Sequence, residues 1–307
     1  AHGAGLDLKR VGGHRDIGDG GVLGFARPVR HHSRVVVALG KLDGGEGFGE
    51  RADLVDLDED GIGHALVDAP LQDARVGDEQ IVADVPVGFF LSGGVDSSVV
   101  VASAARAGRP ISTFSIGFDS DEVSETPYAR AVAEQFATDH HERVLTAASA
   151  QDLLPRLKEW FDEPFADESS LPTYLVAKTA RENVTVVLTG DGGDEVFGGY
   201  LYFHKAPNPK EFHEETVRKL DRLHLFDCLR ANKAMAAWGI EARVPFLDVD
   251  FLDVAMTLDP ALKMPRKAEG RIEKQVLRDA FADILPEEVT KRQKEQFSDG
   301  VGYGWID

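Results

Sequence analysis

The chain has 307 residues, enough for one large domain or two modest ones, and its 43% apolar and 28% charged residues are those of a globular protein. A formal net charge of −19 disfavours generic binding to nucleic acid or to an anionic membrane, so a phosphate ligand has to be held by local amides, a few cations and a metal. A single cysteine, Cys228, excludes an internal disulfide and a cysteine zinc cluster; with no membrane-length apolar run and no signal peptide, a cytoplasmic setting is expected.

Residues 1–80 stand apart from the rest. They hold about half of the chain's 31 glycines, scattered Asp, one Ser, and no Thr, Tyr or Trp. "GDGGVLG" and "GGEGFGE" miss the dinucleotide-binding glycine spacing, and "LGKL" around Lys41 lacks the first glycine and the Ser/Thr of a Walker loop. "VVVALG" reads as a strand, and His31 and His32 have no partner ligands at a useful spacing. The expectation is a poorly ordered Gly/Asp-rich segment without chemistry.

From residue 81 strand-like runs at 85–91, 113–116 and 184–188 alternate with helix-like runs at 97–107, 126–137 and 171–183. That alternation predicts an α/β fold, a doubly wound and mostly parallel sheet with right-handed crossovers. Ligands in such sheets sit beyond the carboxyl ends of the strands. The loop after each strand is therefore where chemistry belongs.

The first of these loops is Ser92-Gly93-Gly94-Val95-Asp96-Ser97-Ser98, between the apolar run ending at Leu91 and an alanine-rich helix. Its glycines allow a sharp turn and close approach of a ligand, and the helix start offers unpaired N–H groups to an anion. The densest cluster follows the third strand, where Gly190, Asp191, Gly192, Gly193, Asp194 and Glu195 precede Gly198 and Gly199. Three carboxylates this close repel one another unless a cation gathers them, and Mg²⁺ suits hard oxygen ligands that share the shell with phosphates. Asp96 and Asp194, at the same sheet edge, are the candidate Mg²⁺ ligands, with the Ser92–Ser98 turn cradling phosphate oxygens.

Elsewhere the readings are plainer. His140 and His141 are taken to lead into a strand "ERVL", and Asp162 and Glu163 to begin a helix around Pro164. Cys228, in "FDCLRANKAMAAW", reads as a core thiol. Segments 232–237 and 251–258 read as amphipathic helices, equally suited to packing within the domain or across a homodimer.

Ser-Gly-Gly-x-Asp-Ser after a strand resembles the pyrophosphate loop of the ATP pyrophosphatase (PP-loop) superfamily. "FSIGF", "FDEPFADESSLPTYLVAKTAR", "TGDGGDEVFGGY", "GIEARVPFLD" and "RQKEQFSDGVGYGWID" follow in the order found in the synthetase domain of glutamine-dependent asparagine synthetases of the B type. The resemblance covers about residues 82–307, so residues 81–307 are expected to form that domain, with additional C-terminal helices. Residues 82–200 are similar to the branch that spells its acidic loop GDGGDE, and from "LYFHKAPN" onward to the bacterial B branch.

The resemblance implies conversion of L-aspartate, ATP and ammonia into asparagine, AMP and pyrophosphate through a β-aspartyl-AMP intermediate. Leu91 and Ile116 would line the adenine pocket; Ser92, Gly93, Gly94, Asp96, Ser97 and Ser98 would hold pyrophosphate; Thr189 and Gly190 would contact the nucleotide. Asp96 and Asp194 would bind Mg²⁺. Asp191 stands where many relatives have Glu, at a position linked to forming the intermediate. Lys294 would stabilise the charged phosphates, and Arg243 would lie near the site. Such relatives begin with a glutaminase domain bearing an amino-terminal cysteine and continue beyond the lysine motif; with neither pattern here, a C-terminally truncated domain fed by free ammonia or a separate glutaminase is expected. Two alternatives stay open: a sister enzyme that adenylates another carboxylate, as a β-lactam synthetase does, and a fragment that binds nucleotide without turnover.

Overall fold

The computed structural model describes residues 80–293 apart from 107, 119–124 and 166, together with two short paired strands, Arg34–Val35 and Val55–Asp56. The remaining expectations for residues 1–80 lie outside the described residues.

Five strands form one parallel sheet: β1 (Val87–Phe90), β2 (Ser112–Phe118), β3 (Asp139–Leu145), β4 (Val186–Leu188) and β5 (Glu241–Arg243). Their spatial order is β3-β2-β1-β4-β5. Parallel neighbours need crossovers, and helices supply them: α1 (Val95–Ala105), α2 (Thr126–Gln135), α3 (Ser170–Arg181) and, past a short α4 (Gly193–Phe197), α5 (Pro209–Arg222) and α6 (Asp227–Ala236). The doubly wound α/β sheet expected from the sequence is therefore present. β1 is its pivot, with Phe89 opposite Thr113 on one side and Leu188 on the other.

Two hydrophobic cores cover the two faces. On one, Phe89, Leu91 and Leu188 meet α1, α2 and the C-terminal helices α7 (Val249–Thr257), α8 (Pro260–Lys263) and α9 (Gln275–Ala280), through Phe251, Leu277 and Phe281. On the other, Phe114, Ile116 and Val187 meet α3 and α6 through Tyr174, Ala177 and Met235. Helix α1 is buried along nearly all its length, so burial of Val99, Val100 and Val101 outweighs the weak helix preference of β-branched residues.

Two local readings are corrected. His140 and His141 lie inside β3 rather than ahead of it, with His140 Nδ1 2.8 Å from Thr113 Oγ1. Asp162 and Glu163 do not start a helix; the chain bends there, and α3 begins only at Ser170. Asp162 instead pairs with Lys233 on α6.

Lys263, at the end of α8, is 1% exposed, and its ammonium donates to the Ala255 carbonyl (2.9 Å) beside Met256 Sδ. Burial pushes it down to about 7 from an ordinary 10.5. Between those values the unfolded chain holds a proton that the folded one sheds, so this group's penalty is full below pH 7 and fades as pH rises. Lys263→Met is expected to stabilise the protein at pH 7 by on the order of 2 kcal/mol, with the gain shrinking towards pH 10. Thermal unfolding of both proteins across that range is the check, and a gain independent of pH would contradict it.

Candidate active site

The chain order turns around between β1 and β4, and the loops leaving these two strands face each other across a cleft of about 830 Å³. Loop β1–α1 contributes Leu91, Ser92, Gly94, Val95, Asp96 and Ser97 to its lining, and loop β4–α4 contributes Thr189, Gly190, Asp191, Gly192 and Asp194. This is the position at which an open α/β sheet binds its ligand.

The first loop is built to receive an anion. Gly94 caps α1 with extended backbone and no side-chain hydrogen bond, so the first-turn amides lack a capping side chain. The serines fix the turn: Ser92 N donates to Ser97 Oγ (3.2 Å), Gly94 N to Ser92 Oγ (3.2 Å), and Ser97 Oγ to the Gly94 carbonyl (3.2 Å). Gly93 takes φ +83°, and a Cβ there would lie 2.5 Å from the Ala129 amide of α2. Gly93 therefore shapes the turn from behind. Ser98 is also turned away from the cleft, fully buried and bonded to the Gly94 carbonyl at 2.7 Å.

The loops meet closely. A Cβ on Gly190 would stand 2.8 Å from the Ser97 amide, and one on Gly193 would stand 2.6 Å from Asp96 Oδ1. Asp96, in the first turn of α1, and Asp194, in α4, thereby converge on one cation, the ammonium of Lys274. Lys274 Nζ lies 2.6 Å from Asp194 Oδ1 and also hydrogen-bonds Asp96 Oδ2. Burial alone would lower its proton affinity, but the Asp194 and Asp96 carboxylates raise it. No group of three or more His, Cys, Asp or Glu side chains poised for a metal occurs among the described residues. Two carboxylates sharing one cation nevertheless fit Mg²⁺, which completes its shell with water and phosphate.

Further along the cleft a second charged cluster centres on Arg230 of α6. Its guanidinium donates to Asp227 Oδ1 (2.6 Å), Ser169 Oγ (3.0 Å), Asp191 Oδ1 (3.2 Å) and Asp167 Oδ2 (3.4 Å). Thr189 Oγ1 donates to the other oxygen of Asp191 at 2.7 Å. Burial raises the proton affinity of the Asp191 carboxyl, opposed by Arg230 and Thr189. Glu195 is pushed up to about 7 by burial and by the neighbouring Asp194 charge, and accepts a hydrogen bond from Tyr200. Burial, with the carboxylates of Asp191, Asp227 and Glu195, pushes the half-buried Cys228 thiol up to about 12. A thiol held protonated is a poor nucleophile.

Of the remaining expected site residues, Ile116 lines the cleft, as Leu91 does. Arg243 does not reach it. The β5 backbone approaches, since the Thr189 amide donates to the Arg243 carbonyl at 2.9 Å, but the guanidinium turns to the carbonyls of Gln80 and Val82 and to Glu241. Lys294 lies outside the described residues; Arg292 and Gln293, just before it, line the cleft. Lys274, Arg230 and Arg292 were not singled out from the sequence. Arg230 lies in a stretch read as a helix and Arg292 opens the "RQKEQF" motif, but for all three only tertiary contact reveals the partners.

Comparison with known proteins decides the family. The family model described as "Asparagine synthase" matches residues 71–211 and 205–307. The chain belongs to the asparagine synthase family. It is 48% identical over 247 residues to asparagine synthetase [glutamine-hydrolyzing] 2 of Oryza sativa subsp. japonica, covering 75% of this chain and 41% of that protein. Identity is again 48% to asparagine synthetase [glutamine-hydrolyzing] 3 of Arabidopsis thaliana and 47% to the enzyme of Asparagus officinalis, over the same 75% of the chain. The chain thus spans about two-fifths of the length of the curated relatives it matches. Among solved structures it is similar to an NMN synthetase from Francisella tularensis, at 12% identity and a TM-score of 0.41, over 76% of this chain and 75% of that one.

Because backbone atoms stand where a Gly190 side chain would go, Gly190→Ala is expected to separate the two loops. The expected cost is on the order of 2 kcal/mol of stability. Calorimetric unfolding measures it, and an alanine variant as stable as the parent would show that the two loops part without cost.

Proposed function

We propose that this cleft amidates a carboxylate at the expense of ATP, converting L-aspartate to L-asparagine through an acyl adenylate. The observation that carries the reading is the Asp96–Asp194 pair facing an uncapped, serine-braced turn at the sheet's switch point, in a chain of the asparagine synthase family. Relatives that match it over 75% of its length, at 48% identity, are named as glutamine-hydrolysing asparagine synthetases.

The chemistry follows from charge. A carboxylate is a poor electrophile, and ammonia does not displace its oxygen. A side-chain oxygen of aspartate attacks the α-phosphorus of ATP, the bond from that phosphorus to the bridging oxygen breaks, and pyrophosphate leaves. Ammonia then attacks the acyl carbon, the carbon–oxygen bond to AMP breaks, and the nitrogen loses a proton to solvent. The nitrogen arrives as free ammonia or from a glutaminase.

In this reading Leu91 and Ile116 hold the adenine, with Thr189 and Gly190 beside the nucleotide. Ser92, Gly94, Ser97 and the first amides of α1 bind the β- and γ-phosphates, while Gly93 and Ser98 shape that turn. Asp96 and Asp194 would hold Mg²⁺, which supplies charge neutralisation on the departing pyrophosphate. Lys294 adds a cation to the same leaving group. The Arg230 cluster receives the amino acid: its guanidinium suits a carboxylate, and Asp167, Asp191 and Asp227 suit an α-ammonium.

The test is pyrophosphate release from ATP and Mg²⁺, with and without aspartate, using ammonium or glutamine as nitrogen donor. Release is expected to require aspartate, to yield AMP and asparagine in equal amounts, and to fall by about a hundredfold or more in Lys294→Ala and Asp194→Asn. ATP binding without aspartate-dependent release, or release driven equally by unrelated carboxylates, would overturn the reading.

A further inference from the structure

The ammonium of Lys274 occupies the place between two carboxylates that a divalent cation would take. It comes from far along the chain, 178 residues beyond Asp96. Its segment is firmly held. Lys274 has left-handed backbone (φ 59°) and is 1% exposed. The preceding Glu273 is fully buried against His204, and α9 follows at once. Within α9, Arg278 ties the segment down by donating to the carbonyls of Glu273 (2.8 Å), Thr290 (2.8 Å) and Val289 (3.1 Å). The stem passes over Gly199, where any Cβ would collide with both Lys274 and Asp194. A surface lysine reaching into a gap would need none of this scaffolding.

We propose that Lys274 is the resident counter-ion of the Asp96–Asp194 pair, and that metal enters this site by exchange, together with an anionic polyphosphate that draws the lysine ammonium off the carboxylates. The proposal rests on the reading of this site as a Mg²⁺–polyphosphate site. With the ammonium in place, an added divalent cation brings further positive charge into a largely buried space where the Asp96 and Asp194 carboxylates already share one cation. Pyrophosphate supplies the missing negative charge and a new partner for the lysine. The carboxylates are thereby kept compensated at each stage, and free metal is kept out until its phosphate arrives.

Mn²⁺ titration followed by electron paramagnetic resonance tests this, with thermal unfolding as a second readout. In the wild-type protein Mn²⁺ alone is expected to bind weakly and leave the Tm unmoved, and added inorganic pyrophosphate to tighten it by about tenfold or more. In Lys274→Met, Mn²⁺ alone is expected to bind at least about tenfold more tightly than in wild type and to raise the Tm. A variant that folds only when Mn²⁺ is supplied meets the same expectation; if the methionine variant fails to fold even then, Lys274→Gln takes its place. Tight Mn²⁺ binding by wild type without pyrophosphate, or unchanged Mn²⁺ affinity on removal of the ammonium, would overturn the exchange. Failure of wild type to bind Mn²⁺ even with pyrophosphate, unaltered by Asp194→Asn, would instead remove the site reading beneath it.

Discussion

Everything in the cleft depends on β1 being hydrogen-bonded along both edges by strands that run parallel to it. Parallel pairing forces each strand to end at the same rim, so the loops after β1 and β4 emerge side by side. Because the crossovers depart to opposite sides, nothing fills the space between them. The serine turn and the acidic turn then face one another at a distance set by glycines and the main chain. Asp96 and Asp194, 98 positions apart in the chain, are brought within reach of a single small ion by the ladder.

Much of this was legible beforehand because it is written in local pattern. The runs ending at Leu91 and Leu188 read as strands, and each is followed by glycine and carboxylate where a parallel sheet puts its ligand loops. That pattern alone pairs Asp96 with Asp194 at one sheet edge. Lys274 could not: it sits in a polar stretch of no obvious periodicity, and its role arises from one left-handed residue and the packing of α9. Arg230 was hidden for a different reason, since three carboxylates from three segments converge on it. Arg243 shows the converse. Its position beside the cleft followed from its motif, yet the side chain of a strand residue can leave on either face, and here it binds the main chain at 80–82.

The charge balance of the protein is resolved within the cleft. A chain of net charge −19 meets any anionic ligand with an unfavourable field. Locally, however, the carboxylates are partnered by buried or largely buried cations, with Lys274 on Asp96 and Asp194, Arg230 on Asp191, and Arg292 on Glu125. Buried pairs of this kind contribute little net stability, but they hold donors and acceptors in place before a ligand arrives. Preorganised charge is what phosphoryl and acyl chemistry needs most.

The outer strands of the sheet carry a consequence for the protein's colloidal behaviour. An open parallel sheet has two unsatisfied borders, each a template on which another molecule can align. At one border β5 is only three residues long, and the guanidinium of its Arg243 binds the carbonyls of Gln80 and Val82. At the other, β3 spells Asp-His-His-Glu-Arg-Val-Leu, with Glu142 tied to Arg130 and Arg143 beside Glu182. Among the described residues one border is short and the other is studded with charge, and both features disfavour pairing with a further strand.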